Sequence, residues 1–182
     1  MEIHKNVERV MISAEQIRRR VKQLAAQLDK LYDGRKPVVV CILKGSFMFF
    51  ADLVRNMRVE TEVDFMAVSS YGAGTQSTRE VKIKKDLACD IAGRDVLVVE
   101  DIIDSGNTLY HLKKLLNERS PASVNIVTLL DKPERREVPL EPDYKGFTIE
   151  DEFVIGYGLD YAEDYRNLPY IGILKRSVYE ND

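Results

Sequence analysis

The feature that most constrains this 182-residue chain is one stretch: Val96-Leu97-Val98-Val99-Glu100-Asp101-Ile102-Ile103-Asp104-Ser105-Gly106-Asn107-Thr108. It opens with four consecutive apolar residues, three of them β-branched. A short unbroken apolar run predicts a strand buried on both faces, as in a parallel sheet. Leu109, Leu112, Leu115 and Leu116 then follow at helical spacing. The segment therefore reads as strand, short loop and helix. In open α/β sheets ligands sit beyond the carboxyl ends of the strands, which is where this loop falls.

The loop chemistry narrows the ligand. Asp104, Ser105, Gly106, Asn107 and Thr108 offer successive backbone N–H groups, two hydroxyls and a glycine at a helix N-terminus. Such a turn forms a nest for phosphate, helped by the positive end of the helix dipole. Gly106 lets the backbone come close and take a positive φ. Glu100 and Asp101 stand just before the nest and would repel a phosphate that they faced. They suit sugar hydroxyls or a divalent cation instead. Phosphate plus vicinal hydroxyls describes a ribose 5-phosphate. The bland alternative is that Ser105 only caps the helix and the acids are solvated. The Gly-x-x-x-x-Gly-Lys-Ser/Thr spacing of a Walker loop is absent.

Composition sets outer limits. A chain of this length that is 45% hydrophobic and 31% charged fits one soluble domain, 1–182, with a sizeable core. Its apolar runs are too short to span a bilayer, and its first residues carry no signal-peptide core. Two cysteines, Cys41 and Cys89, give neither a disulfide framework nor zinc spacing. Cys41 falls in an apolar run and reads as a core thiol, compatible with a reducing cytoplasm. The net charge of −3 argues against nucleic acid as the main partner. Arg18-Arg19-Arg20 with Lys22 reads as a solvated helix face.

Other elements follow in order. Ser13-Ala14-Glu15-Gln16 has capping-box spacing, and Ile17, Val21, Leu24 and Leu28 continue as a helix that Gly34 stops. Val38 to Leu43 reads as a buried strand. It runs into Lys44-Gly45-Ser46 and then an apolar helical segment from Phe47 to Met57. Strand, glycine loop and helix thus recur, and Lys44 could meet a second anion. Thr61 to Val68 alternates as a strand. Ser69 to Thr78 is polar and glycine-rich, and Val81 with Ile83 suggests a return strand. Val124 to Leu130 is a further strand, followed by the charged turn Asp131-Lys132-Pro133-Glu134-Arg135-Arg136, where Lys132 alone would read as solvated. Tyr170 to Leu174 reads as the final strand.

The stretch 96–108 resembles the 5-phosphoribosyl-1-pyrophosphate motif of the type I phosphoribosyltransferases, in the form of the hypoxanthine-guanine branch. Phe153-Val154-Ile155-Gly156-Tyr157-Gly158-Leu159-Asp160-Tyr161 resembles that 6-oxopurine branch specifically. The resemblance implies an α/β fold: a mostly parallel central sheet flanked by helices, with a small hood near the C-terminus and a flexible lid hairpin. It implies transfer of 5-phosphoribosyl to N9 of a 6-oxopurine, with Mg2+ as cofactor. Ribose and phosphate contacts fall to Glu100, Asp101, Asp104, Ser105, Gly106, Asn107 and Thr108. Pyrophosphate contacts fall to Lys44, Gly45 and Arg166, in a loop that in this family often contains a non-proline cis peptide. Purine contacts fall to Lys132, Phe153 and Val154, lid residues to Ser70 and Tyr71, and metal contacts to Glu100, Asp101 and Asp160. Asp104, a third carboxylate inside the loop, is the candidate general acid/base at purine N7. Asn107 departs from relatives that carry lysine there. The family also implies a homodimer or homotetramer, no nucleic-acid or membrane partner, and a cytoplasmic setting. The choice among hypoxanthine, guanine and xanthine stays open. The alternative is a regulator of the same fold that binds RNA.

Overall fold

The computed structural model describes residues 3–70 and 81–180. The elements in chain order are β1 (Val7–Ile12), α1 (Ala14–Leu31), β2 (Val38–Leu43), α2 (Phe47–Asn56), β3 (Glu62–Ser70) and β4 (Val81–Lys85). Then come β5 (Asp95–Ile103), α3 (Asn107–Asn117), β6 (Ser123–Asp131), a 3-10 turn (Pro133–Arg135) and β7 (Tyr144–Thr148). β8 (Val154–Ile155), β9 (Ile171–Leu174) and α4 (Arg176–Tyr179) close the chain.

Six strands form the main sheet in the order β4-β3-β2-β5-β6-β7. β3, β2, β5, β6 and β7 run parallel, and β4 joins the edge antiparallel to β3. The apolar runs explain this. Side chains alternate across a strand, so Val39, Cys41, Leu97 and Val99 pack under α1 and α2. Val38, Val40, Ile42, Val96 and Val98 pack against α3 on the other face. A strand must be apolar at every position to be covered on both sides.

The strand order fixes where a ligand can bind. From β2 the chain winds outward to β3, and from β5 it winds the opposite way to β6. β2 and β5 are parallel neighbours, so the crevice beyond their carboxyl ends is the topological switch point. Both glycine loops, 44–46 and 104–108, leave from that crevice.

The capping box at Ser13 is present, with Gln16 N donating to Ser13 Oγ at 3.3 Å and Ser13 N donating to Gln16 Oε1 at 2.8 Å. The basic cluster divides. Arg18 and Arg19 are exposed, but Arg20 ties α1 to β7 through the carbonyls of Gly146 and Lys145 at 2.9 and 2.6 Å. Ser70 and Val81 pair where β3 and β4 meet, while Tyr71 and the rest of the expected lid lie outside the described residues. The hood is a second, antiparallel sheet in the order β1-β9-β8. Its edge strand, Val7–Ile12, comes from near the N-terminus and pairs with Ile171–Leu174. No sequence pattern marked that strand or β7.

Candidate functional site: two cavities joined at Asp104

A cavity of about 270 Å³ occupies the switch point. Lys44 and Gly45 line it from the β2 loop, Glu100 and Asp101 from the end of β5, and Asp104, Ser105, Gly106 and Thr108 from the loop before α3. A second cavity, about 460 Å³, is lined by Lys132, Arg135, Asp151, Glu152, Phe153, Val154, Leu159, Asp160 and Tyr179. Ile102 and Asp104 line both. The two therefore adjoin at the candidate acid/base, as a sugar–base junction requires.

Backbone shapes the loop side of the first cavity. Gly106 precedes α3 with φ +80, a left-handed conformation suited to glycine. A Cβ there would also press on Arg136 Cδ at 2.9 Å. No side chain caps α3. Ser105 Oγ meets Asn107 N only at 3.4 Å, so the simple capping account of Ser105 is not what this loop does. Among the described residues the amides of Ser105 and Gly106 have no protein acceptor. Free N–H groups at a helix N-terminus suit an anion. The side chain of Asn107 does not line the cavity: its Nδ2 donates to Ser105 Oγ at 3.0 Å and Glu137 Oε2 at 2.7 Å. What Asn107 can offer a phosphate is its backbone amide.

Three separate stretches meet beside this nest because two residues lack a Cβ. A Cβ on Gly45 would overlap the Asp101 carboxylate, and one on Gly158, at φ +103, would overlap the Gly45 carbonyl. The peptide between Leu43 and Lys44 is cis, as the family resemblance implied.

The carboxylates are set apart by environment. Burial, then the neighbouring charge of Asp101, pushes the Glu100 carboxyl well above its usual range. Burial also raises Asp101, partly opposed by the Glu100 side chain, by backbone N–H donors and by the positive charge of Arg166. Neither acid has an ion-pair partner among the described residues. Two adjacent, desolvated acids that no ion pair neutralises suit hydroxyl donors or a hard dication. Asp160 lies apart from them on the second cavity, paired to Arg166 at 2.9 Å. No group of three or more metal-binding side chains gathers among the described residues. A magnesium ion, which keeps several waters and needs few carboxylates, still fits that donor set.

In the second cavity side chains do the positioning. Lys132 is buried, 7% exposed, so the solvated reading of it does not hold. Its Nζ donates to Glu152 O at 2.8 Å and meets Asp151 Oδ1 at 3.3 Å. Arg135 bridges Asp104, at 2.7 Å, and Asp151, at 3.1 Å. Arg136 joins the nest to the sheet, donating to Asp104 O at 3.1 Å and pairing with the buried Asp131. Phe153 is exposed and stacks on Tyr179 with ring centroids 5.0 Å apart. Val154 is buried at the start of β8. Asp151, Arg135, Arg136 and Tyr179 were missed by sequence reasoning. For Arg135 and Arg136 the available signal was the charge pattern of 131–136; Asp151 and Tyr179 had none.

Sheet order, switch-point nest and an adjoining second cavity fit a phosphoribosyltransferase. A family model described as "Phosphoribosyl transferase domain" matches residues 11–162, and the chain belongs to that family. Particular relatives narrow the likeness. The chain is 54% identical to the hypoxanthine-guanine phosphoribosyltransferase of Streptococcus pneumoniae over 98% of this chain and 99% of that protein. It is 53% identical, over 97% of its length, to the bifunctional protein TilS/HprT of Listeria monocytogenes, but spans 27% of that longer protein. The crystal structure of a hypoxanthine phosphoribosyltransferase from Staphylococcus aureus superposes with a TM-score of 0.94 at 52% identity, covering 97% of this chain and 96% of that one. These likenesses lend nothing to the RNA-binding alternative.

Proposed function

We propose that the chain, acting as one phosphoribosyltransferase domain, transfers 5-phosphoribosyl from phosphoribosyl pyrophosphate to N9 of hypoxanthine or guanine. The products are the purine nucleoside 5′-monophosphate and pyrophosphate. The observation that carries this reading is the pair of cavities sharing Ile102 and Asp104 at the switch point of the sheet.

In this reading the 5-phosphate takes the free amides of the nest, and the ribose hydroxyls face Glu100 and Asp101. Lys44, Gly45 and Arg166 take pyrophosphate. The purine lies against Phe153, its 6-oxo group accepts from Lys132, and the backbone at Val154 reads its edge. N9 bonds to ribose C1 as the C1–oxygen bond to pyrophosphate breaks, and Asp104 accepts the proton that N7 gives up. Positive charge grows on the ribose in between, beside the acids at the end of β5. Holding both substrates in adjoining cavities supplies proximity. Glu100 with Asp101, and separately Asp160, would hold magnesium, which would neutralise charge on the departing pyrophosphate.

A homodimer or homotetramer belongs to the same reading, supported by Phe47, Val63 and Phe65, which leave apolar surface exposed on and beside α2 and β3. So does a cytoplasmic setting, supported by two free thiols. No helix among the described residues is long and apolar enough to cross a membrane. The test is direct. Purified protein is incubated with phosphoribosyl pyrophosphate, magnesium and each purine in turn. Nucleotide and pyrophosphate should form in equal amounts with hypoxanthine or guanine, and no product with any 6-oxopurine would overturn the reading.

A further inference from the structure

The turn after β8 carries a carboxylate that the mechanism above does not use. Glu163 Oε1 accepts from Lys44 Nζ at 2.9 Å, and Glu163 Oε2 accepts from Arg166 Nη2 at 3.0 Å. One side chain thus bridges the two cations assigned to pyrophosphate. Lys44 has no other ion pair among the described residues. Arg166 is shared with Asp160 and also donates to Gly158 O at 2.8 Å.

The backbone holds Glu163 in that place. Asp164 N donates to Tyr161 O at 3.0 Å, and Tyr161 N donates to Asp164 O at 3.3 Å, closing a two-residue turn. Its central residues, Ala162 and Glu163, have φ of 52° and 67°. Glycine, asparagine or aspartate would fill such a turn more favourably, because a Cβ crowds the left-handed region. Glu163 N is held there by Asp160 Oδ2 at 2.9 Å. The side chain, by contrast, is 64% exposed, so it can swing into water with no desolvation to reverse. Lys44 and then Arg166 lower its carboxyl pKa, which keeps it anionic at neutral pH. A diphosphate offers the same two cations more charge and more acceptor oxygens than one carboxylate can.

We propose that Glu163 is a displaceable stand-in for pyrophosphate. It pairs Lys44 with Arg166 when no diphosphate is bound, yields to the incoming diphosphate, and recaptures both cations as pyrophosphate leaves. The proposal rests on the reading of Lys44 and Arg166 as the pyrophosphate cations. Glu163 keeps those side chains in register, and it competes with the ligand for them. Exposed ion pairs are individually weak, so removing two of them should tighten diphosphate binding by roughly three- to tenfold.

The experiment titrates inorganic pyrophosphate with magnesium into wild type, Glu163→Gln, Lys44→Ala and the double variant, by calorimetry. KM and kcat for phosphoribosyl pyrophosphate are measured alongside. Glu163→Gln should bind pyrophosphate more tightly and show a lower KM without a higher kcat. Its gain should shrink in the Lys44→Ala background. Glu163→Asp, with the charge on a shorter arm, should fall between wild type and Glu163→Gln. Unchanged or weaker pyrophosphate binding by Glu163→Gln overturns the proposal. A lowered melting temperature with unchanged pyrophosphate affinity also overturns it, by marking Glu163 as a turn residue only. If Lys44→Ala binds pyrophosphate as well as wild type does, the anion-site reading is what fails, and the proposal falls with it.

Discussion

The two halves of the site are built in opposite ways. In the proposed reading the phosphate half comes mostly from one stretch, β5 through α3, with Lys44 and Gly45 added from the loop after β2, and presents backbone amides around a glycine with positive φ. The base half is assembled from 132–136, 151–160 and Tyr179, and is held by a relay of charged side chains. A backbone nest is fixed by the strand and helix that flank it. A side-chain relay is fixed only by its own members, so a single substitution can change its geometry while the sheet stays intact. In the proposed reading, the half that takes the constant phosphate is held by flanking strand and helix, and the half that takes the base is held by contacts between side chains.

Asp104 stands on the seam between the halves and gives the largest expected effect. If it is the acid/base of the base half, Asp104→Asn should lower kcat by about 10²–10⁴-fold, the usual range for such groups. Binding of phosphoribosyl pyrophosphate, which depends on the amide nest, should stay close to wild type. Steady-state kinetics combined with calorimetry checks both parts. A large loss of phosphoribosyl pyrophosphate binding would show that the halves are not separable at this residue. A near wild-type kcat across the pH range would remove Asp104 from the chemistry.

A smaller effect separates scaffold from site. Asp64 in β3 is buried and accepts from the amides of Phe65, Ala88 and Cys89 at 2.7, 2.7 and 3.0 Å. Burial alone would raise its pKa, but the amides outweigh burial and hold it at about 2. Because the folded value lies below that of the unfolded chain, the stabilisation is complete above about pH 4 and is lost as pH falls toward 2. A shift of this size corresponds to about 2 kcal/mol. Denaturant melts of wild type and Asp64→Asn should differ by that much at pH 7 and converge toward pH 2, with kcat unchanged at neutral pH. A gap that persists at low pH would assign the loss to packing rather than to the carboxylate.

The same contrast explains what could be read without coordinates. Val96 to Thr108 shows a strand, a nest and a helix because each is encoded within a few residues of itself. Val38 to Ser46 repeats the pattern, but that these two strands sit side by side, with β3 and β4 intervening in the chain, is written in neither stretch. The hood was only half legible. Val7–Ile12 finds its partner at Ile171–Leu174, and nothing local to residues 7–12 announces a strand whose register is set so far away. Lys132 is similar: alone it is a lysine in a charged turn, and only Glu152 O and Asp151, brought from another loop, make it a buried donor. Arg135 and Glu163 carry no motif at all. Each gains its meaning from cross-loop partners, Asp104 for one and Lys44 for the other.

The central claim is that the base half selects a 6-oxopurine through the Lys132 ammonium, which has donors to give and no acceptor. Adenine presents an amino group where hypoxanthine presents an oxygen, so it sets donor against donor. The measurement is kcat/KM for hypoxanthine and for adenine in wild type and in Lys132→Ala. Wild type should favour hypoxanthine by roughly 10⁴-fold or more, as sites built around a specific hydrogen bond do. Lys132→Ala should lose most of its activity with hypoxanthine and show a ratio narrowed by about 10–100-fold, the worth of a charge-assisted hydrogen bond. Comparable use of adenine by wild type, or full activity and discrimination in Lys132→Ala, would contradict the account.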